Sequence, residues 1–561
     1  MKKPLPIGVE NFEDIIRNGY YYVDKTLFIK ELLDWKGRAN LFTRPRRFGK
    51  TLSLSMLRYF FENTGNTEQN EKNAQLFQGM KIMETGEVYT SQMGQFPVIN
   101  LTLKSGKQQD FAGAYYQLRE EIKWEFARHS WVLENLRESD RKSYQEIMDG
   151  EAEKEAYYTS LKFLSNCLYQ VTGKKTIILI DEYDVPLENA YFQGFYGEMI
   201  GFIRSLFESA LKTNDALEFA VITGCLRISK ESIFTGLNHL NIISILDKQY
   251  SEYFGFTRAE VKEMMAYYER EERYEDMKLW YDGYSFGDTD IYNPWSVIKF
   301  LYDLRADRNA FPRAYWVNTS SNDIIRTLVG RADRETKAQI EDLLAGGTME
   351  IQIQEEITYG DIEESMENLW NFLYFTGYLT KCGERFENRS IYLKVVIPNE
   401  ELKSVYDNII LTWFKESVRK ENFQDFYRAM EDGDTQKMTE ILNKQLQATI
   451  SFYDSAENFY HGFMAGILSQ SQDYIVKSNR ESGTGRNDLM VYSPDIEGRS
   501  FVLELKAAPK FRQLDAVCEE ALTQIEEKHY TEYLEEIGYE NITCYGIGFF
   551  RKNCRVKKKG V

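Results

Sequence analysis

Histidine and cysteine are scarce in this chain of 561 residues, which holds four of the first and six of the second. The cysteines, at positions 167, 225, 382, 518, 544 and 554, form no C-x-x-C pair. That spacing excludes a zinc ribbon and gives no disulfide framework, which suits a reducing compartment. So few histidines also argue against a multi-histidine metal centre. No run of 18 apolar residues occurs, and Met1-Lys2-Lys3-Pro4-Leu5-Pro6 lacks the apolar core of a secretory signal. The expectation is a soluble, cytoplasmic chain with no membrane contact. Net positive charge is missing as well. The balance is −18, which excludes a protein that coats nucleic acid through bulk charge. Any contact with DNA or RNA must then use local basic patches. Residues 451–561 hold 14 Lys and Arg against 17 Asp and Glu, a balance of −3, and six of those basic residues lie in Arg551–Lys559.

What is present is apolar material for several cores. Hydrophobic residues make up 43% and aromatics 14% of a chain too long for one core, so two to four domains are expected. Over the first 250 residues, short runs apolar on both faces alternate with helical stretches, the pattern of an α/β domain around a parallel sheet. The strands are expected at Ala39–Thr43, Phe96–Leu103, Thr176–Ile180 and Leu217–Thr223, and helices at Lys50–Phe61, Phe111–Arg128 and Gly201–Leu211. From about 251 to about 330 the texture becomes aromatic and helical, within a middle region expected over 251–400. Asn293-Pro294 opens a helix there, and a helix over Met366–Phe375 precedes two strands at Tyr378–Cys382 and Ile391–Ile397, an order compatible with a winged-helix-like unit. Residues 401–561 read as a helical lead-in to a compact α/β unit.

Two constellations carry chemistry. The strand Leu41-Phe42-Thr43 runs into Arg44-Pro45-Arg46-Arg47-Phe48-Gly49-Lys50-Thr51 and then a helix, matching G-x-x-x-x-G-K-[ST] except that Arg44 replaces the first glycine. A helix N-terminus offers unpaired N–H groups, Lys50 reaches outer phosphates, and Thr51 can ligate Mg²⁺. Arg44, Arg46 and Arg47 add positive charge suited to a polyphosphate, with Gly49 completing the loop. A basic turn ahead of a buried helix is the plainer reading of this segment alone. The strand Thr176–Ile180 ends in Asp181-Glu182, where Asp181 can hold Mg²⁺ through water and Glu182 can polarise an attacking water. Asp184 follows as a further ligand or a helix cap. Thr223 ends the next strand, in the place of a γ-phosphate sensor, with Arg227 just beyond.

The second constellation lies near the C-terminus. In the apolar strand Phe501-Val502-Leu503-Glu504-Leu505-Lys506, alternation puts Glu504 and Lys506 on one face. Such charges are costly in so apolar a segment unless paired or holding a metal. Asn487–Tyr492 reads as a preceding strand, and a hairpin between the two brings Asp488 to Glu504 and Lys506. An ion pair within a hairpin is the structural alternative.

With these runs in view, the chain resembles the bacterial AAA-ATPase-like proteins fused to a C-terminal PD-(D/E)XK nuclease-like domain. The resemblance rests on Leu5-Pro6-Ile7-Gly8, Asp24-Lys25-Thr26, Arg44–Thr51, Ile180–Asp184, Tyr281-Asp282-Gly283-Tyr284 with Tyr292-Asn293-Pro294-Trp295, and Asp488…Glu504-x-Lys506. It implies an α/β fold in three parts: a P-loop NTPase parallel-sheet domain over 1–250, a helical, winged-helix-like middle over 251–400, and a PD-(D/E)XK domain within 401–561. It further implies ATP and Mg²⁺ as cofactors, with Thr51 and Asp181 as ligands in one domain and Asp488, Glu504 and Glu457 in the other. Lys506 would orient and help deprotonate the attacking water. Gln524 and Tyr530 match the family's Q-x-x-x-x-x-Y pattern, and His461 lies one helical turn from Glu457. The implied activity is an ATPase coupled to cleavage of phosphodiester bonds, in DNA ahead of RNA, with room for a homo-oligomer. The alternative is a nucleotide-dependent switch or scaffold whose nuclease-like domain binds nucleic acid or a partner without cutting.

Overall fold

The computed structural model describes residues 2–226, 240–316, 334–354, 365–407, 423–449, 457–471, 473–482 and 485–559. These divide into two compact units, one of residues 1–318 with 348–402 and one of residues 319–347 with 403–561. The stretches 251–318 and 348–402, expected as parts of a separate middle region, thus cluster with the N-terminal unit. Among the described residues no helix is long and apolar enough to cross a membrane.

The first unit is α/β. It is built on β1 (Ala39–Thr43), α1 (Lys50–Phe61), β2 (Val98–Thr102), α2 (Phe111–Arg128), β3 (Thr176–Asp181), α3 (Val185–Gln193), β4 (Leu217–Gly224) and β5 (Leu240–Ile243). The strands lie in the order β2-β3-β4-β1-β5, all parallel. β1 and β3 are buried along their whole length, which explains why both read as unbroken apolar runs. β4 separates them, so the loop after β1 and the acids after β3 emerge at the same sheet edge with the end of β4 between. β5 was not foreseen; it is only four residues long and polar at Asn241.

β2 is the outer strand on its side of the sheet. Its odd-numbered neighbours Pro97 and Leu103 pair with β3, so the main-chain groups of Val98 and Asn100 face outward. The C-terminal turns of α2 cover them. Glu125 accepts from the Asn100 amide at 2.7 Å, and His129 Nε2 lies 3.0 Å from the Val98 carbonyl, which Arg128 also reaches. Burial pushes the Glu125 carboxyl up to about 8 and the His129 imidazole well down.

The unit continues through α4 (Arg258–Tyr268) and α5 (Pro294–Ala306). Asn293 caps α5 by accepting from the Ser296 amide at 3.2 Å, with Pro294 at the first helical position as its sequence foretold. The Asp24-Lys25-Thr26 run is a structural clasp. Lys25 Nζ lies 2.6 Å from Glu260 Oε2 at the start of α4, while Asp24 accepts from Thr26 and from the Lys81 amide. Farther along, β6 (Met349–Gln352), α6 (Met366–Phe375), β7 (Thr380–Glu387) and β8 (Ser390–Val396) form one helix beside an antiparallel sheet ordered β7-β8-β6.

The second unit carries α7 (Glu457–Leu468), β9 (Ile475–Ser482), β10 (Gly485–Tyr492), β11 (Ser500–Ala507), α8 (Leu514–Glu527), β12 (Ile542–Phe550) and β13 (Asn553–Lys558). The sheet runs β9-β10-β11-β12-β13 and is mixed: β11 and β12 are parallel and the other pairs antiparallel. α8 buries Leu514, Val517, Cys518, Ala521, Leu522 and Ile525 at helical spacing. Its close seat requires glycine on the strand below. A Cβ at Gly546 would stand 2.3 Å from the Cys518 carbonyl, and one at Gly548 2.6 Å from Val517.

Candidate functional site

In the first unit the loop between β1 and α1 is shaped by Gly49, whose φ of 84° is left-handed and disfavours any side chain. Gly49 caps α1, so Lys50 and Thr51 occupy its first turn, where unpaired amides and the helix dipole favour anions. Lys50 is buried, and its ammonium donates to the carbonyls of Arg44 at 2.9 Å and Pro45 at 3.0 Å, with Cys225 Sγ at 3.7 Å. Thr51 Oγ1 donates to Asp181 Oδ2 at 2.6 Å, and Thr223 Oγ1 donates to Asp181 Oδ1 at 2.5 Å. Thr51, Asp181 and Thr223 are therefore brought together from three elements. Glu182 adjoins them with a φ of 50°, and burial raises its carboxyl against the opposing influence of Lys50.

The three loop arginines do not share one role. Arg44 was expected to add charge for a polyphosphate, and here the structure corrects the reading. Its side chain is fully buried, donating to the carbonyls of Thr43 and Ile243 and lying 5.2 and 5.4 Å from the rings of Phe254 and Phe286. Its amide continues the β1–β4 pairing through the Gly224 carbonyl, so the chain has not yet turned into the loop where the first glycine would stand. Desolvation lowers its guanidinium to about 10. Arg46 pairs with Glu188 of α3 at 2.6 Å. Arg47 lies 4.3 Å over the Trp295 ring and donates to the Tyr315 carbonyl at 3.3 Å.

Asp184 makes no side-chain helix cap. Buried, it accepts from the amides of Cys225 at 2.7 Å and Leu226 at 3.1 Å, while the Tyr183 hydroxyl donates to the Leu226 carbonyl at 2.6 Å. Together they clamp the turn after β4, a role that Ile180-Asp181-Glu182-Tyr183-Asp184 alone does not disclose. Arg227 falls outside the described residues.

In the second unit, β10 and β11 form the expected hairpin, with Leu489 opposite Leu503. One step further, Asp488 and Glu504 come together: the Asp488 amide lies 3.3 Å from Glu504 Oε2, and Asp488 Oδ2 accepts from the Leu505 amide at 2.8 Å. Glu504 is buried and accepts from Gln524 Nε2 at 2.5 Å. Gln524 Oε1 accepts from Lys506 Nζ at 2.7 Å, and its amide nitrogen also lies 3.2 Å from the Tyr530 hydroxyl. One side chain of α8 thus spans acid and lysine of β11. His461 Nε2 sits 2.9 Å from the Asp488 carbonyl. Desolvation raises the Asp488 carboxyl above its ordinary value, opposed by the Leu505 amide, His461 and Lys506. Glu457 opens α7, but its side chain lies outside the described residues.

Both donor sets suit hard divalent cations. Asp488 and Glu504 are carboxylates on adjacent strands joined through the Asp488 amide, and burial disfavours charge on Asp488, a penalty that a cation offsets. Thr51 and Asp181 supply a hydroxyl and a carboxylate beside a helix N-terminus. The basic tail, in contrast, is partly spent: Lys557 pairs with Glu519 at 2.8 Å, and Lys559 with Glu526.

Comparison with known proteins divides the chain in the same way. Residues 6–234 match the AAA-ATPase-like family, described as "Predicted AAA-ATPase", and residues 455–559 match the PD-(D/E)XK nuclease superfamily. A relative from Azotobacter chroococcum mcd 1, "Uncharacterized protein in vnfD 5'region", is 26% identical over 563 residues, covering 98% of this chain and 97% of its own length.

Proposed function

We propose that this chain, an AAA-ATPase-like domain over residues 6–234 joined to a PD-(D/E)XK nuclease superfamily domain over residues 455–559, is a nucleotide-gated nuclease that hydrolyses ATP and cuts DNA or RNA. The observation that carries the reading is the convergence of Asp488, Glu504, Lys506 and Gln524 on one face of one sheet. Mg²⁺, held by Asp488 and Glu504 and in the first unit by Thr51 and Asp181, would supply positive charge against the phosphate oxygens and acidify bound water. Lys506 holds and helps deprotonate the attacking water, and Gln524 fixes the Lys506 ammonium beside Glu504. In the first unit Lys50 exchanges its loop carbonyls for phosphate oxygens, Glu182 polarises the water, and Thr223 orients Asp181.

Gating is supported by what the phosphate loop grips. The Trp316 indole donates to the Arg46 carbonyl at 3.4 Å, and the Trp295 indole and Arg47 both donate to the Tyr315 carbonyl. The Trp316 amide in turn donates to the buried Glu401 at 2.8 Å. The chain leaves the first unit after residue 318 and again after residue 402, so both departures are tied to the loop that meets the nucleotide. A second reading, a switch that binds without cutting, draws support from the acidic balance of the nuclease-like part and the paired lysines of its tail.

The test is cleavage of single- and double-stranded DNA and RNA by the full chain with Mg²⁺ and ATP, ADP or no nucleotide. Cutting that depends on nucleotide in the wild type, and is absent in Glu504→Gln, is the expected result. Retention of nucleic acid without scission under every condition would assign the switch.

A further inference from the structure

β11 and β12 run parallel, with Lys506 opposite Gly548 and Ala507 opposite Phe549. The Ala508 amide continues the pairing to the Phe549 carbonyl at 2.7 Å. The segment Ala508–Gln513 that follows β11 and the turn Arg551-Lys552 that joins β12 to β13 therefore lie side by side at the end nearest Lys506. Neither contains an acid, and between them they carry Lys510, Arg512, Arg551 and Lys552. Lys510, Arg512 and Arg551 are exposed and have no carboxylate partner among the described residues, unlike Lys557 and Lys559 of the same unit.

Phe511 stands between two of these cations with 56% of its surface in water. No other aromatic among the described residues of the second unit is exposed to this degree. Its neighbour Phe550 lies 6.4 Å away, edge to face, and the Arg551 guanidinium is 5.3 Å from the Phe550 ring. Phe550 closes a small cluster with Ala508, Leu514 and Val517, so it has a packing role; Phe511 extends beyond that cluster. The shelf begins four residues along β11 from Glu504, ~13 Å at strand spacing.

We propose that this shelf binds single-stranded nucleic acid, with Phe511 stacking an unpaired base while Lys510, Arg512, Arg551 and Lys552 hold the flanking phosphates. Interleaved aromatic and basic side chains are what an unpaired strand requires, because every base has a π-face to stack and a backbone charge beside it. A duplex keeps its bases stacked internally and needs only the cations. The inference names the substrate class of the nuclease reading above and rests on that reading for the identity of the neighbouring site.

The experiment is fluorescence anisotropy of labelled oligo-dT, oligo-rU and a short duplex against the full chain in EDTA, where no cutting occurs. The proteins are wild type, Phe511→Ala, Phe511→Trp and the double variant Lys510→Glu/Arg512→Glu, with thermal melting to establish that each is folded. Phe511→Ala should weaken single-strand binding about tenfold and leave duplex binding unchanged, Phe511→Trp should restore it, and the charge reversal should weaken every ligand. Equal losses on oligo-dT and oligo-rU assign what the two share, a pyrimidine face and a phosphate; a loss on one alone assigns the sugar or methyl group peculiar to it as well. Unchanged single-strand affinity in folded Phe511→Ala, equal loss on the duplex, no binding by the wild type, or displacement of oligo-dT by polyglutamate as readily as by unlabelled strand would each overturn the proposal. Binding through Phe511 without cleavage in Mg²⁺ keeps this inference and removes the nuclease reading; cleavage indifferent to Phe511 does the reverse.

Discussion

The two candidate sites use the same residue types but hold their lysines in opposite ways. In the first unit Lys50 is buried and restrained by main-chain carbonyls of its own loop, and Asp181 accepts two hydroxyl donors. In the second, Lys506 is half-buried and restrained by one side chain, Gln524, which also grips Glu504. A site held by backbone is set by the fold of its loop; a site held by a side-chain relay can be dismantled one residue at a time. Under the proposed function the first suits a ligand that must enter and leave repeatedly, since the carbonyls and hydroxyls would be ready replacements for departing phosphate.

The largest effect that would sharpen this contrast is on Lys506. Lys506→Ala should lower Mg²⁺-dependent cleavage about a thousandfold while ATP hydrolysis stays near wild type, measured on the same preparation. In the first unit Glu182→Gln should slow ATP hydrolysis about a hundredfold with nucleotide affinity retained, whereas Lys50→Ala should lose the affinity itself by calorimetric titration. Gln524→Ala should cost about tenfold in cleavage, and Thr223→Val a smaller factor in ATP turnover, because Thr51 still holds Asp181. A loss for Gln524→Ala no larger than that for Thr223→Val would break the contrast.

A further prediction concerns Glu401, which burial raises to about 7 despite the Trp316 amide and the Ser296 hydroxyl. Between the ordinary carboxylate value and about 7 the folded protein keeps a proton that the unfolded chain releases. Stability from this group therefore falls as pH rises through that window, by about 3 kcal/mol in total, and is level above it. Glu401→Gln should flatten that slope in thermal melts of the full chain across the window.

Much of both sites was legible because the first site's motifs sit where strands end and the second's lie along an alternating strand. Apolar runs bounded β1 and β3, and alternation along Phe501–Lys506 by itself puts Glu504 and Lys506 on one face. Other features followed tertiary context. Arg44 turns inward beneath Phe254 and Phe286, against the ordinary preference of arginine for water, and only the carbonyls of Thr43 and Ile243 make that tolerable. β12 escaped because Gly546 and Gly548 depress its strand character, yet those glycines let α8 carry Gln524 close to β11. The Asp184 clamp joins residues about forty positions apart, a distance no local pattern spans.

The treatment of the outer strand β2 has a bearing on assembly. A sheet with an open flank invites a strand from another molecule, but here the Asn100 amide and the Val98 carbonyl are already engaged by Glu125, Arg128 and His129. A second copy that tried to extend the sheet along this flank would have to strip away these partners first, and Glu125 and His129 are buried. That flank therefore stays closed to runaway strand addition even when the protein is crowded.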